Sequence, residues 1–244
     1  MLDKPDRRAR AKGKEQSASA VVAPPCAMVI FGAAGDLTKR LVVPALYNLA
    51  NDRQLSEEFR LVGVDLTDMS ADQWQAHLTD AMKGFVAHDG EFHLDEFDQA
   101  TWQWLTTRMS YLSGDLNNPE TYRRLGEHLT GLDKTAGTAG NRLFYLAVAD
   151  RFFGPAVTAL STAGLTAEGN GRWRRVIIEK PFGHDLASAK ALNAQILKTL
   201  QEHQIYRIDH FPRQGDGPEH HGAAVCQRFV RAIVEQAADR ACSD

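Results

Sequence analysis

The sequence predicts an α/β fold with a doubly wound, mostly parallel sheet, and three observations lead there. Short apolar runs of strand length alternate with longer stretches of helical periodicity, the pattern of repeated strand–helix–strand units. The run Met28-Val29-Ile30-Phe31 passes through Gly32-Ala33-Ala34-Gly35 into a stretch opened by Asp36 and Leu37, where Leu41, Ala45, Leu46 and Leu49 recur at helical spacing. A later run, Val176-Ile177-Ile178, likewise ends in a polar turn, Glu179-Lys180-Pro181-Phe182-Gly183, before another helix.

Composition bounds the rest. With 244 residues and 43% hydrophobic content the chain can bury the core of one large domain or two small ones. A formal net charge of -3 gives no bulk attraction to nucleic acid or to an anionic membrane, so neither is expected as a partner. The cysteines Cys26, Cys226 and Cys242 lack metal-ligand spacing and are too few for a disulfide framework, which makes a cytoplasmic setting the expectation. No apolar run is long enough to span a bilayer, and Val21-Val22-Ala23 is too short for a signal-peptide core.

In chain order, residues 1–23 begin as a Lys-, Arg-, Ala- and Ser-rich stretch with little to bury, and are expected to form a disordered leader. A nucleic-acid-binding arm is the sharper alternative, disfavoured because no aromatic is interleaved. The strand–turn–helix unit around Gly32–Leu37 aims unpaired helix N–H groups and a positive dipole end at whatever lies over the turn, a place that suits a pyrophosphate. Two glycines three apart fall short of the full G-x-G-x-x-G fingerprint, since Ala34 stands at the second glycine, so an ordinary strand–helix turn stays open.

Phe59–Asp65 reads as a second strand ending in an acid. An acid there accepts hydrogen bonds from adenosine ribose hydroxyls and repels a 2'-phosphate, which leans towards NAD; equally, Asp65-Leu66-Thr67-Asp68 reads as a capped turn, with Ser70 capping the next helix. Residues 71–108 look helical, with Trp74, Leu78, Met82 and Phe85 on one face and Phe97, Trp102 and Leu105 on a later one, most simply as core. His77, His88 and His93 sit in polar surroundings without a second ligand at useful spacing, so no metal site is expected. Strands follow at Met109–Leu112, Arg142–Val148 and Arg175–Ile178, with helices at Pro119–Leu132, Arg151–Thr162 and Ser188–Leu200.

Ligands of a doubly wound sheet bind beyond the carboxyl ends of its strands. That marks Gly32, Ala33, Ala34, Gly35, Asp36 and Leu37, then Asp65, Asp115 within Gly114–Leu116, Ala149 and Lys180. Lys180 at a strand tip can reach a phosphate or hydroxyl and Pro181 fixes the backbone beside it, although a plain turn has the same appearance. Ile205–Phe211 alternates like a strand, so the adjacent Asp209 and His210 face opposite ways and would serve separate tasks.

Three motifs, in this order and at these distances, resemble the glucose-6-phosphate dehydrogenase family: Gly32-Ala33-Ala34-Gly35-Asp36-Leu37-Thr38-Lys39-Arg40, Val176-Ile177-Ile178-Glu179-Lys180-Pro181-Phe182-Gly183 and Tyr206-Arg207-Ile208-Asp209-His210-Phe211. The resemblance covers roughly Cys26 to Phe211 and implies a Rossmann-like NAD(P)-binding domain, with the start of a larger substrate domain within residues 24–211. It also implies oxidation of the C1 hydroxyl of glucose 6-phosphate to a lactone at the entry to the pentose phosphate pathway, with hydride passing to NADP or NAD, in an enzyme that oligomerises. Carried over, the first motif holds the pyrophosphate, Lys180 lies between cofactor and sugar, Pro181 is a hinge, His210 contacts the sugar phosphate, and Asp209 orients the catalytic histidine. The family often has an arginine after the second strand to grip the NADP phosphate, where this chain has Asp65-Leu66, so an NAD or dual-cofactor preference is expected. Its usual Leu-Ala-x-Pro-Pro after the fourth strand is here Leu146-Ala147-Val148-Ala149-Asp150.

The end of the chain departs furthest. The family continues after the Asp-His motif with Leu-Gly-Lys-Glu and carries its general-base histidine later, whereas Pro212-Arg213-Gln214-Gly215 stands here. Codons GAA, CAT, CAT and GGT for Glu219, His220, His221 and Gly222, read one base later, give Asn-Ile-Met, the family's tripeptide at that place. Permitted codons from Pro212 to Gln236 continue the family's sequence in the shifted frame. Residues 212–244 are therefore expected to be a frame-shifted tail, and the chain a cofactor-domain fragment lacking the general base. A stand-alone nucleotide-binding module without catalysis is the alternative, as is an amphipathic tail helix with Val225, Phe229, Ile233 and Ala237 on one face.

Overall fold

The computed structural model describes residues 22–87, 97–179 and 182–208. Strands β1 (Ala27–Phe31), β2 (Arg60–Asp65), β3 (Met109–Ser113), β4 (Arg142–Leu146), β5 (Arg174–Glu179) and β6 (Ile205–Ile208) run parallel in one sheet of order β3-β2-β1-β4-β5-β6. Helices α1 (Val43–Asn51), α2 (Ala71–Ala87) and α3 (Gln99–Thr106) cover one face. The other carries α4 (Pro119–Ala136), α5 (Phe153–Thr162) and α6 (Leu186–Ile196). Chain order reverses between β1 and β4, the switch point at which a doubly wound sheet opens a crevice.

The doubly wound expectation holds because the central strands are apolar on both faces. All five residues of β1 are fully buried: Met28 and Ile30 pack towards Trp74, Leu78 and Met82, while Val29 and Phe31 pack towards Tyr122, Leu125 and Val157. Asn118 caps α4, its side chain accepting from Glu120 N–H at 3.0 Å with Pro119 in the first turn, and Gly137 ends the helix in the left-handed conformation at φ 70°. At α2, Ser70 and Gln73 exchange hydrogen bonds as a capping box, as expected of Ser70.

Several boundaries differ from the sequence expectation, most by one to four residues, and four of them have a physical reason. The first helix starts with a wide π-helical turn, Thr38–Val42, in which Val43 N–H donates to Thr38 O, because Pro44 has no N–H to give the carbonyl four residues back. The extra residue rotates the face, so Val42 and Val43 are fully buried while Leu41 is only half-buried. Residues 71–108 are two helices, α3 having its own cap in Asp98, which accepts from Ala100 and Thr101. Helix α6 spans Leu186–Ile196 instead of starting at Ser188, since Ser188 is the third residue of a capping box on Asp185. Strand β4 stops at Leu146, two residues short, where the chain turns into the crevice. Among the described residues no helix is long and apolar enough to cross a membrane.

Candidate functional site: the crevice at the switch point

Gly32 leaves β1 with φ +84°, and a Cβ there would stand 2.2 Å from the carbonyl oxygen of Ala147 at the end of β4. The two strand ends therefore converge only because this residue has no side chain. The loop is sewn to β2: Gly32 N–H and Ala33 N–H both donate to Val64 O, at 3.0 and 3.3 Å. Ala34 N–H donates to Asp65 Oδ2 at 3.0 Å, and Gly35 N–H turns back to Gly32 O at 3.0 Å. The first four amides of the expected pyrophosphate loop thus have partners inside the fold.

The open donors come next. Asp36, Leu37 and Thr38 form the first helical turn, where no carbonyl one turn earlier is in line to accept, and among the described residues their amides have no backbone acceptor. They stand directly over the glycine turn, and the Thr38 hydroxyl, donating to Gly32 O at 2.9 Å, ties the helix start to it. The carboxylate of Asp36 is exposed and pairs with Arg40 at 3.5 Å, a surface pair that contributes little.

Two residues without an expected functional role set the loop's shape. The fully buried Trp74 donates its indole N–H to Ala33 O at 2.9 Å. It reaches there because Gly63, inside β2, leaves the space: a Cβ on Gly63 would lie 2.8 Å from the indole ring. Glycine inside a strand next to a tryptophan is the sequence signal that marks such a close approach.

Asp65 occupies the tip of β2 and makes the capped turn that is one of its two readings. Its Oδ1 accepts from Thr67 N–H at 3.0 Å and from the Thr67 hydroxyl at 2.9 Å, which is the capped turn, while its Oδ2 holds the loop through Ala34. Three of roughly four acceptor positions on the carboxylate are taken, leaving room for one further donor. Tyr111 donates its hydroxyl to Thr67 O at 2.7 Å, and its phenol is pushed up to about 12 by burial and by the charges of Asp65 and Asp68. Asp115 also lies at a strand end, but its carboxylate accepts from the backbone and side chain of Asn117, at 2.8 and 3.0 Å, and shapes the turn into α4.

On the other side of the crevice the buried Tyr145 of β4 donates its hydroxyl to Glu179, the buried last residue of β5. A tyrosine inside a strand needs a partner for its hydroxyl, and the acid at the neighbouring strand end supplies one. Lys180, Pro181, Asp209, His210 and the tail 212–244 lie outside the described residues, as do His88 and His93.

A six-stranded parallel sheet with a glycine turn at its switch point and an acid at the end of the neighbouring strand is the architecture of a dinucleotide-binding domain of the Rossmann type. Residues 29–212 match the family model described as "Glucose-6-phosphate dehydrogenase, NAD binding domain". The chain belongs to the glucose-6-phosphate dehydrogenase family. It is 40% identical over 188 residues to glucose-6-phosphate 1-dehydrogenase of Bacillus subtilis (strain 168), covering 77% of this chain and 36% of that protein. It is 38% identical over 190 residues to glucose-6-phosphate 1-dehydrogenase 2 of Mycobacterium tuberculosis (strain ATCC 25618 / H37Rv), covering 78% and 36%. The crystal structure of the Mycobacterium avium enzyme superposes with TM-score 0.64 at 35% identity, covering 77% of this chain and 36% of that one. A glucose-6-phosphate dehydrogenase solved in complex with glucose 6-phosphate superposes with TM-score 0.67 at 26% identity, covering 78% and 37%. The chain thus spans little more than a third of the length of these relatives.

Proposed function

We propose that this chain is the cofactor-holding part of a glucose-6-phosphate dehydrogenase, that it binds NAD more tightly than NADP, and that as written it turns over no sugar. The pyrophosphate lies over the glycine turn against the amides of Asp36, Leu37 and Thr38, and the adenosine ribose meets Asp65. The observation that carries the preference is the anchoring of Asp65, whose oxygens hold Ala34 and Thr67. It cannot swing away from a 2'-phosphate without releasing the loop. Two unit charges about 4 Å apart repel by about 1 kcal/mol in water and about 4 at an effective dielectric constant near 20, so discrimination of about tenfold or more is expected.

When bound, the cofactor supplies a nicotinamide ring able to accept hydride. The chain's own residues bind and orient: Gly32 lets the ends of β1 and β4 converge beneath the dinucleotide, and the Tyr145–Glu179 bond fixes the end of β5, which Lys180 follows in the sequence. His210 would contact the sugar phosphate. Asp209 would orient a general-base histidine that the family carries later in its sequence, beyond the Leu-Gly-Lys-Glu stretch whose place is taken here by residues we read as out of frame. With Pro212-Arg213-Gln214-Gly215 in place of the stretch that carries the family's phosphate-binding lysine, substrate positioning fails.

Titration of the chain with NAD and NADP, followed by calorimetry, tests the reading. NAD is expected to bind about tenfold tighter, and Asp65→Arg to reverse the order; NADP binding as tightly as NAD to the unaltered chain would sink the preference. Reduction of either nucleotide on addition of glucose 6-phosphate would refute the loss of catalysis. A DNA read across the Phe211 codon whose shifted frame does not encode the family's continuation would refute the frame change.

A further inference from the structure

Helices α4 and α5 stand apart on the face of the sheet opposite α1–α3, and the space between them is a groove of about 1110 Å³. Its walls are less polar than their residues suggest. Thr130 returns its hydroxyl to Gly126 O at 2.8 Å, Thr158 to Gly154 O at 2.9 Å and Thr162 to Thr158 O at 2.9 Å, so each threonine satisfies its own helix and turns its methyl outward. Between them lie Gly126, Ala159 and Leu165. From Tyr122 to Lys134 the groove follows α4 for about 18 Å at 1.5 Å per residue.

The far end of the groove, at the amino ends of β4 and β5, is cationic. Arg123 is engaged by Glu120 and Glu127, and Arg142 by Asp133. Lys134, Arg172 and Arg174 also line it, and none of them pairs with a carboxylate among the described residues. Arg174 is held by the carbonyls of Gly140 and Trp173, while its Nε is buried with no hydrogen-bond partner. Burial, then repulsion from Arg142, lowers its guanidinium to about 10, a strain that an anion at this end relieves. On a chain of net charge -3, this is an apolar trough whose end is net positive, with Lys134, Arg142, Arg172 and Arg174 against Asp133, whose charge, with that of Glu168, only partly offsets the burial of Arg174.

The geometry points to a binding site for a single-chain amphiphile, its apolar chain lying between α4 and α5 and its anionic phosphate or carboxylate head held by Arg172, Arg174 and Lys134. The site is separate from the crevice at Gly32, and nucleotide binding there neither requires nor implies it. The anion supplies the charge that the fold withholds from these side chains, and the chain fills a volume in the range of small-molecule sites.

The test is calorimetric titration of the full 244-residue chain with dodecyl phosphate below its micellar concentration, beside dodecyl maltoside and inorganic phosphate. One-to-one binding of dodecyl phosphate is expected, with both controls at least about tenfold weaker. Arg172→Gln, at an exposed side chain, and Arg174→Gln should each weaken it several-fold, and Thr158→Trp, which fills the groove from an exposed position, should abolish it while the melting temperature holds. Laurate, which carries a carboxylate head on a twelve-carbon acyl chain, separates the two head groups: binding equal to that of dodecyl phosphate identifies charge alone as the determinant the site reads. Equal binding of the maltoside, no effect of Arg172→Gln with Thr158→Trp, or sedimentation showing the groove covered in a dimer that excludes the amphiphile would each overturn the proposal.

Discussion

At the amino end of the sheet Arg142 is buried at 4% exposure among acceptors of its own fold, whereas at the carboxyl end the amides of Asp36, Leu37 and Thr38 have no backbone acceptor among the described residues. Arg142 is paired with Asp133 and donates to the carbonyls of Leu129 at 3.1 Å and Asn141 at 2.9 Å; Asp133 in turn takes Thr138 and Gly140 N–H. Beside it Glu168 holds Arg175, His203 and the backbone of Arg174. At one end Arg142, Arg175, Asp133 and Glu168 hold strand starts together. The other uses neutral backbone groups, a buried indole and one anchored carboxylate around the glycine turn. The difference teaches that the buried ion pairs and the nucleotide loop lie at opposite ends of the same strands, so substitutions in the two should separate stability from nucleotide affinity.

The largest effect is expected from Arg142→Ala. It leaves Asp133 partly buried without its counter-charge, which costs about 3–5 kcal/mol, a large fraction of the total stability of a domain. Urea unfolding should show the midpoint falling steeply, with NAD affinity unchanged in the fraction that stays folded. A loss of affinity without loss of stability would break the division between the ends. Next is Gly32→Ala, the converse. Its Cβ would meet Ala147 O at 2.2 Å from a backbone at φ +84°, so the ends of β1 and β4 must part. Nucleotide affinity is expected to fall by more than about tenfold, against a strain cost of about 1–3 kcal/mol in stability.

A pH titration sharpens the same contrast. Burial of Asp133 favours the neutral acid, but hydrogen bonds from Arg142 and Thr138 and the charge of Arg142 outweigh it and hold the carboxyl below its ordinary range. A carboxyl with a depressed folded-state pKa adds stability that is complete above its unfolded value, about 3.9, and is lost as pH falls through the folded value. Stability should therefore drop below about pH 4, and Asp133→Asn should flatten that part of the curve while lowering the plateau at neutral pH. A wild-type curve that stays level to lower pH than that of the variant would remove Asp133 from the account.

The sheet was legible in the sequence because its strands are buried on both faces, so their apolar runs are unbroken, and because Gly32 and Asp65 stand at the strand ends where the switch point exposes them. What escaped the sequence depends on contacts across many residues. Pro44 decides the π-helical turn only once Thr38 is tied to Gly32. Which loop amides are spent depends on Val64 and Asp65, some thirty residues on, whose register with β1 no local pattern encodes. The cationic end of the α4–α5 groove gathers Lys134, Arg172 and Arg174 from separate elements, and in the sequence they read as ordinary surface charge.

Trp74 gives the smallest and most discriminating effect. As a core residue it would be replaced by phenylalanine at a cost in packing alone; as an anchor it also loses the bond to Ala33 O, worth about 1 kcal/mol. Stability by itself does not distinguish the two, since both lower it. The direction of the loop does, because Ala33 O is the point at which the indole holds the turn that precedes the open amides of Asp36–Thr38. Trp74→Phe should therefore weaken NAD about threefold to tenfold beyond anything seen for Leu78→Val, a packing change on the same fully buried face of α2 with no bond to the loop. If both variants weaken NAD equally, the indole acts only through the core, and the carboxyl end owes its shape to Gly32 and Asp65 alone.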